Sequence, residues 1–205
     1  MWLSLRVAVP LAVITGLALS TTSGPAAAAT LTFSANLNGA TEIPPTGSPG
    51  TGFAAITVDT VADTMTVFES FTGLGSPTTA SHIHCCLAQP ATVGVATQVP
   101  SFVNFPTGVM SGSFTQTLNM TLASSYNPVF EAANGGTPAS AFAALLAGMV
   151  AGESYINIHT QQFTGGEIRG ILTETPLPGA LPLLATGIGG LGLLGWRRKR
   201  KAQAA

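Results

Sequence analysis

From Leu31 onward the chain is governed by a period of two. Leu31, Phe33, Ala35 and Leu37 alternate with Thr32, Ser34, Asn36 and Asn38, the pattern of a strand with one face buried and the other in water. Phe53 to Asp59 and Met65 to Phe71 are two further strands, joined by a short turn around Thr60 to Asp63. Between the first two strands, Glu42-Ile43-Pro44-Pro45-Thr46-Gly47-Ser48-Pro49-Gly50 is a loop, because its prolines remove ladder donors and its glycines admit positive φ. Ser81-His82-Ile83-His84 lies on another strand. After it, Ala91 to Gly108 reads as short extended pieces, and Gly112 to Leu118 as a strand. Asn127 to Ala133 and Pro138 to Val150 are rich in alanine and leucine and predict one short and one longer helix. Thr137 is placed to cap the second, with Pro138 at its first position and Gly152 just past its end. Tyr155 to Thr160 and Glu167 to Thr173 return to strand, with Gly165-Gly166 as the turn between them. Short strands spaced by Gly/Pro turns predict a mainly β fold, an antiparallel Greek-key-like β-sandwich with a short helical insert.

Charge is scarce and segregated. Only 7% of the residues are charged, while 46% are hydrophobic. All eight acids lie between Glu42 and Glu174. Of the seven basic residues only Arg169 lies among them, with Arg6 before and Arg197 to Lys201 after. A domain with one arginine and no lysine has almost nothing with which to neutralise phosphates, which excludes nucleic acid as a partner. The two ends have their own logic. Residues 1–29 carry Arg6, an apolar run from Val7 to Leu19 and the small residues Ala26 to Ala29, the pattern of a cleaved export signal. At the other end, 175–205 forms a separate module. Leu177 to Trp196 is just long enough to cross a bilayer, and the basic residues 197–201 behind it place the tail in the cytoplasm. The globular domain is expected over 30–174, outside the cytoplasm.

The coordinating residues are concentrated. Ser81-His82-Ile83-His84-Cys85-Cys86 holds two of the three histidines and both cysteines, and Tyr155-Ile156-Asn157-Ile158-His159-Thr160 holds the third histidine. On a strand, residues two apart share a face. His82 and His84 therefore point one way, and Cys86 joins them if the strand continues. Tyr155, Asn157 and His159 share a face in the second signature. If the two strands are neighbours, His82, His84, His159 and Cys86 converge into a set suited to zinc or copper. The competing reading keeps the histidines neutral in a polar layer, bound to backbone or to Asn157 and Glu167. For Cys85 and Cys86 the alternatives are metal ligation, an intermolecular bridge, a vicinal disulfide at a tight turn, or free thiols. Glu167 and Arg169 share a strand face and form either an ion pair or separate cross-strand contacts. Asp59 and Asp63 flank a turn but lack the surrounding oxygen pattern of a calcium loop. There is no Gly-x-Ser-x-Gly, no phosphate loop and no pair of carboxylates at catalytic spacing. The acids look scattered at ordinary turn positions.

Two resemblances build on these residues. Pro176-Leu177-Pro178, the glycine-rich apolar span and Arg197-Arg198-Lys199-Arg200 resemble a PEP-CTERM sorting signal, with leucine in place of the usual glutamate. That resemblance implies an exosortase-type partner that removes the span, an inner-membrane intermediate, and a role beside exopolysaccharide and biofilm at the cell surface. Phe33 to Gly39 with Glu42-Ile43-Pro44-Pro45, then Gly52-Phe53-Ala54, Ser81 to His84, Tyr155 to Thr160 and Gly166-Glu167-Ile168-Arg169-Gly170 resemble, in order, a CHRD domain, the module named after chordin. The paired cysteines and the helical insert depart from the simplest form of that pattern. The resemblance implies an extracellular β-rich domain without established enzymatic activity, and fold carries over better than function. The expected role is that of an exported, surface-sorted, non-enzymatic structural or binding protein of the envelope or biofilm matrix, with exopolysaccharide as a candidate partner. The alternative is an extracytoplasmic copper or zinc protein, redox-active or not, built on His82, His84 and His159.

Overall fold

The computed structural model describes residues 30–175. The predicted export signal, the sorting motif Pro176-Leu177-Pro178, the apolar span and the basic residues Arg197 to Arg200 lie outside them. Among the described residues no helix is long and apolar enough to cross a membrane.

Among the described residues, eight strands make one antiparallel sheet. They are β1 (Thr30–Asn38), β2 (Thr51–Asp59), β3 (Thr64–Thr72), β4 (Thr78–Cys85), β5 (Gly112–Asn119), β6 (Ser154–Thr160), β7 (Ile168–Ile171) and β8 (Thr173–Glu174). The order across the sheet is β4-β6-β7-β1-β2-β3-β5, with β8 also paired to β1. The predicted sandwich of two sheets is thus corrected to a single sheet that rolls over on itself. Ser81 in β4 hydrogen-bonds Glu69 in β3 at 2.9 Å, although four strands separate β4 from β3 along the sheet. Contact at that range requires the two ends of the sheet to face each other, so one layer supplies both walls of the core as a half-barrel.

The alternation decides which side faces inward. Phe33, Ala35 and Leu37 of β1, Ala54, Ile56 and Val58 of β2, and Met65 and Val67 of β3 are buried, as are Ile83, Ile156, Ile158 and Ile168 across the β4-β6-β7 wall. Each buried aliphatic side chain contributes about 1.5–3 kcal/mol relative to exposure. A one-residue slip of β4 would exchange Ile83 for imidazoles in this core, so its register is firmly set. The segment 93–110 lies along the free edge of β4 as irregular chain. Cys85 N–H donates to Gly94 O, and Ala96 and Phe102 N–H groups donate to Ile83 O and Ser81 O, so this edge strand's backbone groups are satisfied without another strand.

The helices fall where the sequence places them. α1 spans Pro128–Ala133 and α2 spans Pro138–Val150. Thr137 Oγ1 accepts the Ser140 N–H, and Ser140 Oγ accepts the Thr137 N–H in return, a capping box in front of Pro138. Ala141, Leu145, Gly148 and Met149 form the buried stripe of α2. Gly152, at φ +70°, turns the chain out of the helix.

Candidate metal centre

The histidine strands are neighbours. β4 pairs antiparallel with β6, setting His82 opposite Asn157, His84 opposite Tyr155 and Ala80 opposite His159. Directly opposed residues share a face, so all three histidines stand on the face away from the isoleucine core. Their rings meet edge to face, with centroids 4.7 Å apart for His82 and His159 and 5.4 Å for His82 and His84. One ligating atom from each residue lies within 4.8 Å of those of the other two.

Each imidazole is anchored through one nitrogen only. His82 Nε2 donates to Pro100 O at 2.9 Å, His84 Nδ1 to Val93 O at 2.7 Å, and His159 Nδ1 to Thr164 O at 2.8 Å. A carbonyl can only accept, so these contacts fix the tautomers and leave a lone pair on the other nitrogen of each ring. Those nitrogens, His82 Nδ1, His84 Nε2 and His159 Nε2, are buried and have no hydrogen-bond partner. Burial holds all three groups below the ordinary histidine range. It takes His82 to about 3, with help from His159 and His84, and His84 to about 4. The cluster is therefore neutral at physiological pH, with one unpartnered lone pair on each ring.

The surroundings brace this arrangement. The Tyr155 ring stacks on His84 at 4.5 Å, and the Arg169 guanidinium lies 3.8 Å over the Tyr155 ring centre. Arg169 is 2% exposed and bonds Glu42 at 3.0 Å and Ala91 O at 2.9 Å. Burial raises the Glu42 carboxyl, against the pull of Arg169. Asn157 Nδ2 donates to Glu42 Oε1 at 3.2 Å. Gly166, at φ +124°, lies so close that a Cβ there would strike Glu42 Oε1 and Asn157 Nδ2. The Gly165-Gly166 turn is thus also a close approach of backbone to the site.

Several expectations change here. Cys86 does not join the histidine face: it is bonded to Cys85 in a vicinal disulfide. Both sulfurs pack against Gly148 of α2, where a Cβ would collide with them. Of the alternatives for this pair, the turn disulfide is the one found. Glu167 and Arg169 are not partners either. Glu167 accepts from Ser48, Thr160 and the Gly75 N–H, while Arg169 takes Glu42. The acids are not uniformly at turns: Glu42, Glu69 and Glu167 are buried. Asp59 is a turn residue, accepting from the Val61 and Ala62 N–H groups. Glu42 belongs to the site through Arg169 and Asn157, while Glu69 lies in the core on the inner face of β3. Glu69 was legible, since Met65, Val67, Glu69 and Phe71 alternate on one face. Nothing local marks Glu42, whose partner is 127 positions away in the chain.

A rolled antiparallel sheet carrying a three-imidazole cluster on its outer face is the class of module that these observations define. The CHRD domain model matches residues 33–172, and the chain belongs to the CHRD domain family. No curated protein and no solved structure gives a significant match.

Proposed function

We propose that the domain is a metal-binding module whose His82, His84 and His159 hold a zinc or copper ion. One observation carries this reading. Three imidazoles, those of His82 and His84 buried and that of His159 half-buried, each spend one N–H on a backbone carbonyl and leave the other, buried nitrogen without a partner. Histidines packed for structure alone satisfy both nitrogens. Ligating histidines instead use one nitrogen to fix the ring and present the other to the ion. The 4.8 Å spread is wider than the roughly 3.4 Å between tetrahedral ligands at zinc–nitrogen distances, a difference that small side-chain rotations close.

The test is a thermal-shift titration of the full-length chain, in mild detergent, with zinc and with copper. An ion that binds only the folded state stabilises it by about 4 kcal/mol at a thousandfold excess over Kd, so Tm rises and a chelator returns it. His82→Ala and His159→Ala abolish the rise. A titration that leaves the wild-type Tm unmoved by either metal overturns the reading.

A second reading concerns the opposite wall. Thr32, Thr57, Thr66 and Thr117 stand in register across four adjacent strands on an outward face where Phe53 is 40% exposed. Hydroxyl rows beside an aromatic ring suit a neutral polysaccharide, the partner expected of a surface-sorted matrix protein. Export signal, sorting module and disulfide together support work outside the cytoplasm, with an exosortase-type enzyme acting on the C-terminal module. Affinity electrophoresis in exopolysaccharide, with Phe53→Ser as control, tests this: equal migration of both proteins excludes it.

A further inference from the structure

We propose that Asn157 is the fourth donor of the histidine centre, its side-chain oxygen completing a closed N3O site for zinc or divalent copper. This rests on the metal-binding reading above and deepens it.

Placement comes first. Asn157 faces His82 directly across the β4–β6 pair, and Tyr155 and His159 stand two residues to either side on the same face. It therefore forms the floor between the three imidazoles. The amide's orientation is then fixed. Nδ2 donates to Glu42 Oε1 at 3.2 Å and to Gly165 O at 3.4 Å, and a flipped amide would press Oδ1 against two oxygens. Oδ1 thus has one direction open to it, away from Glu42.

That oxygen has no donor. Asn157 is wholly buried, and Oδ1 has no hydrogen-bond partner. An unpaired buried amide oxygen is costly, and the neighbouring groups make it worse. The unengaged Nε2 of His84 carries a lone pair because Nδ1 is committed to Val93 O. Four acceptor atoms, His82 Nδ1, His84 Nε2, His159 Nε2 and Asn157 Oδ1, are left unpartnered around one face of β4 and β6. Acceptor against acceptor repels, and a cation among them turns the repulsion into coordination.

Chemistry and support agree with the assignment. Divalent copper accepts oxygen beside nitrogen ligands, and an amide oxygen serves as an axial donor in copper–imidazole sites. The Glu42 carboxylate on Nδ2 polarises the amide toward Oδ1, as a carboxylate does for a ligating histidine. Arg169 on Glu42 holds that carboxylate in place. The position that the sequence reading offered to Cys86 goes instead to a residue on the histidine strand itself, while Cys86 is consumed by its disulfide.

Cobalt(II), whose visible bands are intense in four-coordinate sites and weak in higher ones, serves as the probe in the full-length chain. Wild type is expected to give the intense bands. Asn157→Ala and the size-matched Asn157→Leu are expected to bind about 10–100-fold more weakly and to lose those bands. Variants with wild-type affinity and spectrum overturn the assignment while leaving the histidine site intact. Wild type that takes up no metal overturns both. A measurement independent of the variants is pulsed EPR of the copper-loaded wild type in D2O. With Asn157 bound, no exchangeable deuteron sits at ligand distance. A coordinated deuteron shows water in the fourth position and overturns the assignment.

Discussion

Glu69 is wholly buried on the inner face of β3, and its hydrogen bonds identify its protonation state. Ser81 Oγ lies 2.9 Å from Glu69 Oε1 and 3.0 Å from Asn157 O. One hydroxyl proton cannot serve both. A protonated Glu69 resolves the shortage by donating to Ser81 Oγ, whose own proton goes to Asn157 O. Burial accordingly pushes this carboxyl up to about 8, against the Ser81 contact. A folded pKa above the unfolded value contributes stability that is fully present below about 4.5 and lost as pH rises through about 8. Wild type is therefore expected to lose stability, relative to Glu69→Gln, from about pH 5 to about pH 8 and to level off above that. Parallel urea titrations check it: curves that run parallel at every pH would mean that Glu69 is not a neutral acid. The histidines act oppositely. Their lowered values make the metal-free protein lose stability as pH falls below about 6.5. This buried acid is legible in the sequence as an apolar-face position in the Met65 to Phe71 alternation.

At the scale of elements, the β4–β6 pair positions the site, while α2 packs on the core side against the end of β4. Alternation told which residues share a face, and the capping residues gave α2 to within its ends. What alternation does not report is which strands lie side by side. β6 follows β4 by some 70 residues, and β7 returns to β1 through Asn38 and Arg169. Those long-range pairings turn the predicted sandwich into one rolled sheet, and they also bring His159 to His82. The disulfide that ends β4 is seated on Gly148 of α2. Gly148→Ala gains helix propensity of about 1 kcal/mol, but an added methyl would meet both sulfurs and Cys86 Cβ, and overpacking costs typically 1–3 kcal/mol. The steric cost wins. A net loss of up to roughly 2 kcal/mol is expected, seen as a lower urea midpoint with unchanged slope. A midpoint equal to or above wild type would mean that the helix does not bear on the disulfide.

For the molecule as a whole, one continuous sheet does two things at once. Its inner face supplies the apolar core, and its outer face, on the β4-β6-β7 wall, gathers the three histidines, Asn157, Tyr155 and Arg169 in register. The same isoleucines that make the core fix the register that aligns the imidazoles, so stability and site share a cause. The claim that this alignment exists to hold an ion is tested most directly by metal content. The full-length chain, exported to the periplasm and purified without chelators, is analysed for zinc and copper beside a His82→Ala/His84→Ala sample. About one equivalent in the wild type, and none in the double variant, is the predicted result. No metal in either sample, and none after incubation with both ions, would contradict it and leave the histidines as packed, neutral side chains of a structural domain.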